Sequence, residues 1–114
     1  MVKDQKEENM KKIRVLLVCG SGASSGFMAV NIRKAAKVRG IDIQVNARSD
    51  SEIGNYIDDC DLIFVGPHLE CMIDEIKEYE EEFPVKVALM KPEYYSTLDG
   101  DKALDHILSL FNKN

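Results

Sequence analysis

Cys19 and the seven residues after it, Gly20-Ser21-Gly22-Ala23-Ser24-Ser25-Gly26, are where this 114-residue chain concentrates its chemistry. None of the seven carries a bulky side chain, so backbone amides rather than side chains would face anything bound there. A helix is expected directly after them, and the first turn of a helix has N–H groups without partners and the positive end of its dipole. Small residues ahead of such an end make a cradle for a tetrahedral oxyanion such as phosphate. A thiol in the same field loses its proton more readily and becomes nucleophilic. Cradle and thiol together are equipment for carrying a phosphoryl group on sulfur. The plainer reading is a glycine-rich first turn of an α/β domain with a packed cysteine at a strand end. The glycines at 20, 22 and 26 do not make the G-x-G-x-x-G of a dinucleotide site, and no Gly-Lys-Ser/Thr closes a Walker loop.

The remaining reactive side chains are fewer. His68 follows Gly66-Pro67, and Tyr94 and Tyr95 lie in the stretch 91–97, where they either flank the cradle or pack the loop. Cys60 and Cys71 read as packing residues, and His106 as a surface residue of the last helix. Glu78, Glu80, Glu81 and Glu82 read as a solvated helix end.

These side chains must be held by elements, and the hydrophobic pattern supplies them. Ile13 to Val18 is a branched apolar run suited to a strand buried on both faces, with Cys19 at its carboxyl end. Phe27, Met28, Val30, Ile32, Ala35, Ala36 and Val38 recur at roughly helical spacing, and Gly40 stands at the C-cap position. Residues 41–47 alternate polar and apolar as an edge strand does. Arg48-Ser49-Asp50-Ser51 is a turn whose Ser or Asp caps a short helix over 51–57. Leu62 to Val65 is a third strand, 69–82 a helix, 85–89 a fourth strand, and 91–97 a loop. Asp99 caps a last helix whose core face is Leu104, Ile107, Leu108 and Phe111.

Strand and helix alternate four times, which predicts a three-layer α/β/α domain over 13–114 with a four-stranded parallel sheet. The strand order expected for it is 2-1-3-4, with the phosphate loop after strand 1. Ligands in such sheets bind beyond the carboxyl ends of the strands, where strand order reverses. Residues 1–12, MVKDQKEENMKK, read as a disordered tail or a tether.

A net charge of −5 argues against a nucleic-acid binder. With no apolar run of about 20 residues and no secretory leader, a cytoplasmic location is expected. The three cysteines have no metal-ligand spacing, so free thiols and neither metal nor cofactor are expected.

With Cys19-x-x-Gly22-x-Ser24-Ser25, then Gly66-Pro67-His68 after strand 3, then Tyr95-Ser96-Thr97-Leu98-Asp99-Gly100 opening the last helix, the chain resembles the IIB component of the phosphoenolpyruvate-dependent sugar phosphotransferase system, in its lactose/cellobiose branch. The resemblance spans about 13–111. It implies that Cys19 accepts a phosphoryl group from a phosphohistidine of a IIA component and passes it to a sugar held by the membrane component IIC. The sugar would be a disaccharide such as cellobiose, lactose or chitobiose. The amides of Gly20 to Gly26 would hold the phosphoryl oxygens, helped by the hydroxyls of Ser21, Ser24 and Ser25, with His68 and Tyr95 as auxiliaries. Apolar residues at the loop rim, Phe27 and Met28 among them, either contact these partners or pack in the core. His68 stands where the branch commonly has Gln. An imidazole there either donates a hydrogen bond as Gln does or titrates and alters the thiolate.

Other functions fit less well. A low-molecular-weight tyrosine phosphatase needs Cys-x5-Arg, and the sixth residue after Cys19 is Ser25. A Cys-x-x-Cys redox site is missing because position 22 is Gly. A response-regulator-like domain wants acidic residues where the thiol stands. A non-catalytic phosphate-binding α/β domain is the remaining alternative.

Overall fold

A computed structural model describes residues 12–19 and 24–111, with only the backbone of Ser24 and Ser25. The proposed tail and the loop residues Gly20, Ser21, Gly22 and Ala23 lie outside the described residues, Lys12 excepted.

Four parallel strands form the sheet: β1 (Ile13–Cys19), β2 (Ile43–Ser49), β3 (Leu62–Val65) and β4 (Lys86–Leu89), in the order β2-β1-β3-β4. That is the order expected, with the half-polar second strand at an edge. β1 is buried because neighbours flank it on both sides and helices cover both faces.

Strand alternation sorts the apolar residues into two cores. On one face Val15, Leu17, Val45, Leu62 and Phe64 pack beneath α1 (Ser24–Arg39) and the final helix, described below. On the other, Leu16, Val18, Ile63, Val65 and Val87 pack beneath the segments after β2 and β3.

Helix α1 begins at Ser24, within the stretch read as loop, so Ser24, Ser25 and Gly26 form its first turn. It buries Met28, Ala29, Ile32, Ala35 and Ala36, whereas Phe27, Val30 and Val38 are exposed. At about 100° per residue, those three fall off the buried stripe. Gly40 ends the helix at φ +72°, with Gly40 N–H donating to Lys37 O at 3.2 Å and Ile41 N–H to Ala36 O at 2.8 Å. This paired closure of the last carbonyls needs a left-handed residue.

Strand β2 starts later than expected and runs through Arg48 and Ser49, because its ladder with β1 continues to the pair Cys19–Ser49. The next segment is a 3-10 turn (Asp50–Glu52), a helical turn α2 (Ile53–Tyr56) and another 3-10 turn (Ile57–Asp59). No side chain caps it: the Ser49 hydroxyl meets Ser51 Oγ at 2.9 Å and donates to Glu52 Oε2 at 3.2 Å.

The single helix expected over 69–82 is broken into a 3-10 segment (Pro67–Met72), α3 (Ile73–Lys77) and α4 (Tyr79–Glu82). Leu69 leaves helical geometry at φ −106°, ψ 24°. Acidic residues also recur at helical neighbour spacing, as at Asp74 and Glu78, which weakens a continuous helix. Glu80 is more than a solvated charge. Its carboxylate accepts the Val87 N–H at 2.7 Å and so covers the outer edge of β4.

In place of a plain loop over 91–97 there is a helical turn α5 (Pro92–Tyr95), with Pro92 in its first turn. Helix α6 (Gly100–Phe111) follows. Asp99 caps it as expected, its Oδ1 accepting the Lys102 N–H at 3.2 Å.

Candidate phosphoryl site at the carboxyl edge of the sheet

Consecutive strands lie on opposite sides of β1: β2 on one, β3 and β4 on the other. Strand order therefore reverses at β1, and Cys19 is its last residue. The described part of this site is built from the ends of three strands and the start of α1.

Cys19 is buried, at 2% exposure. By alternation with Val15 and Leu17, its side chain faces the α1 side of the sheet. α1 covers that face and begins five residues after Cys19 in the sequence. Its first N–H groups therefore open at the edge where the strand ends. Of the predicted cradle, Ser24, Ser25 and Gly26 are placed in this first turn, and Gly20 to Ala23 fall outside the described residues.

The ladder between β1 and β3 extends one step past the strand, as Gly66 N–H donates to Val18 O at 2.9 Å. Val18 pairs with Val65, so Gly66 is the neighbour of Cys19. His68 turns back over this glycine. A Cβ built on Gly66 would stand 2.6 Å from His68 Cε1 and 3.0 Å from Nδ1. The imidazole thus fills the side-chain space beside Cys19. Tyr95 from α5 lies against it, with ring centroids 5.7 Å apart at 40°. The structure therefore gathers Cys19, the start of α1, His68 and Tyr95 at one edge. Gly66 was missed as a site residue. Its signal was the Gly-Pro-His sequence, but only a folded-back ring gives the missing side chain a purpose.

Other candidates sit elsewhere. Tyr94 is buried in the core and its hydroxyl lies 2.6 Å from His106 Nδ1. His106 is therefore a partly buried core residue and not a surface one, with its ring edge-on to Phe64 at 5.2 Å. Burial pushes the Tyr94 hydroxyl up to about 12. Burial, with Lys91 nearby, pulls His106 down. Cys60 is packed as expected, its Sγ 3.7 Å from Ile57 O, and burial with help from Asp61 pushes its thiol up to about 11. Cys71 is exposed on the 3-10 segment, so the packing role expected for it does not hold. Met28 is fully buried, so of the two residues expected at the rim only Phe27, 63% exposed, lies at the surface.

The family described as "PTS system, Lactose/Cellobiose specific IIB subunit" matches residues 14–106. The chain belongs to this family. A Bacillus subtilis relative, an oligo-beta-mannoside-specific EIIB component, is 26% identical over 89% of the chain and 96% of its own length. A lactose-specific EIICB component of Lacticaseibacillus casei is 29% identical over 86% of the chain, which spans only 17% of that relative. The IIB fold recurs in a lactose-specific IIB domain from Streptococcus pneumoniae, with TM-score 0.79 at 22% identity, covering 87% of this chain and 97% of that one. A cellobiose-specific IIB component from Borrelia burgdorferi gives 0.70 at 24% identity, covering 90% and 94%. Among the described residues, no helix of this IIB chain is long and apolar enough to cross a membrane.

Proposed function

We propose that this IIB chain relays phosphate on Cys19 during sugar uptake. The observation that carries the reading is the placement of Cys19 at the strand-order reversal, on the face where α1 begins. A phosphoryl group on that sulfur would meet the first-turn amides of α1, with the amides from Gly20 onward completing the cradle. Phosphoryl transfer needs mostly positioning and charge stabilisation, and amides supply both.

The donor is a phosphohistidine of a IIA component. The S–P bond forms as the N–P bond breaks, and the thiol proton ends on the released imidazole. The acceptor is a hydroxyl of a sugar held by IIC. There the O–P bond forms, the S–P bond breaks and the hydroxyl proton returns to sulfur. Relatives named EIICB support IIC as the acceptor partner, because they join the C and B components in one protein. Relatives specific for lactose, cellobiose and oligo-beta-mannosides support a disaccharide or short oligosaccharide, although another relative is specific for the monosaccharide galactose. Phe27, exposed on the first turns of α1 beside the site, is a docking residue for IIA.

The test is reconstitution with phosphoenolpyruvate, the general phosphotransferase proteins and a lactose/cellobiose-type IIA. Intact mass should rise by one phosphoryl group, and Cys19→Ser should abolish the gain. Turnover of an aryl phosphate by the chain alone would point instead to a phosphatase.

A further inference from the structure

The geometry points to His68 as a positioning residue that donates a ring N–H to the phosphoryl group on Cys19, held in place by Gly66 and Tyr95. The inference rests on the carrier reading and deepens it. Cys19 and Gly66 are ladder neighbours on adjacent parallel strands. Side chains at such positions point to the same face, about 4.8 Å apart. Gly66 has extended backbone, φ −64° and ψ 149°, so its absent side chain would point to the Cys19 side. The imidazole occupies that position, which sets it about one strand spacing from the Cys19 side chain. At that separation an oxygen of a phosphoryl group on Sγ would come within reach of a ring N–H.

Two features keep the ring there. Glycine at 66 leaves the space open, since any Cβ would meet Cε1 at 2.6 Å. Tyr95 packs against the ring from α5 in a tilted pair, and Tyr95 itself packs on the α1-side core. Arg48, whose strand neighbour is Val18, lies on the opposite face. Its guanidinium sits over the Tyr56 ring at 4.9 Å, and Tyr56 belongs to the other core. In the transfer, S–P forms as the N–P bond of the IIA phosphohistidine breaks. The thiol proton goes to the released IIA imidazole, and the His68 N–H only bridges a phosphoryl oxygen throughout.

The experiment uses the full chain with phosphoenolpyruvate, the general phosphotransferase proteins and IIA, reading the initial rate of phosphoryl gain by intact mass and the phosphorus-31 resonance of the product. His68→Ala should slow transfer about 10- to 100-fold, the loss of one hydrogen bond to a charged group. His68→Gln, whose amide can donate, should stay within about threefold of native and restore the resonance that His68→Ala shifts. Gly66→Ala keeps the imidazole but evicts it, and should slow transfer as His68→Ala does. Native rates in both His68→Ala and Gly66→Ala would overturn the assignment, and so would a glutamine variant as slow as the alanine one. If the native chain gains no phosphoryl group, or Cys19→Ser still gains one, the carrier reading falls and this inference with it.

Discussion

Two histidines illustrate how much a residue's role depends on what lies over it. His68 lies over a glycine at the sheet edge, and His106 lies under Tyr94 and against Phe64. His106 is held below its ordinary 6.5, so the native state favours the neutral ring. In that form Nδ1 pairs with the Tyr94 hydroxyl at 2.6 Å. The unfolded chain then binds the proton more readily, and stability must fall as pH drops from about 6.5 through the lower native value. Urea midpoints at pH 7.5 and 5.5 should show this loss in the native chain, and His106→Leu combined with Tyr94→Phe should shrink it. The thiols divide as well. Cys71 is exposed, whereas Cys60 is buried and pushed up to about 11. Iodoacetamide at pH 7.5 should label Cys71 within minutes and reach Cys60 only on unfolding. Equal rates at the two would contradict the burial of Cys60.

Among the elements, the contact between α1 and α6 is the most demanding. A Cβ on Gly100 would collide with the backbone of Asn31 and stand 2.8 Å from Ile32 N, so the two helices touch through backbone at this point. Nearby, Asn31 Nδ2 donates to Leu98 O at 2.8 Å, and Leu98 holds the left-handed φ of 55°. At the far end of α1, Arg39 reaches Asp105 at 2.7 Å and Asp101 at 3.2 Å. The exposed ion pairs contribute little, whereas the backbone contact cannot relax. Gly100→Ala should cost about 3 kcal/mol through overpacking. Asp99→Ala, which removes the cap, should cost only about 1 kcal/mol. Chemical denaturation of both variants checks the ranking, and a harmless Gly100→Ala would mean the helices are not so close.

For the whole molecule, the sheet order puts β1 and β3 inside and β2 and β4 at the edges, with a core on each face. Amide exchange should follow that order, slowest at Leu16, Leu17, Ile63 and Phe64 and faster in β2, since central strands open only with global unfolding. The proposed phosphoryl site lies on one edge of this body, and in the carrier reading its partners approach there. Phe27→Asp should therefore weaken transfer from IIA by about tenfold or more while leaving the thermal midpoint unchanged, because an exposed side chain contributes little to folding. A lowered midpoint would show Phe27 to be a folding residue instead.

The chain's succession of strands and helices, the thiol at the end of the first strand, the helix stop at Gly40 and the cap at Asp99 could all be read from one dimension. Each depends on local preference: apolar runs of strand length, a left-handed glycine, a carboxylate one turn ahead of its amide. What could not be read were relations between distant segments. His106 looked like a surface residue because nothing near it in sequence announces Tyr94 above it. The helix over 69–82 looked continuous because periodicity does not register like-charge crowding, or a carboxylate drawn away to the edge of β4. Phe27 and Met28 are adjacent in sequence, yet one is exposed and the other wholly buried, since a helix turns about 100° per residue and only docking against the sheet selects the inward stripe. The place of His68 beside Cys19 depends on a ladder that pairs residues 47 apart in the chain and on an empty side-chain position at Gly66. Packing in three dimensions creates such neighbours, and no run of residues encodes them.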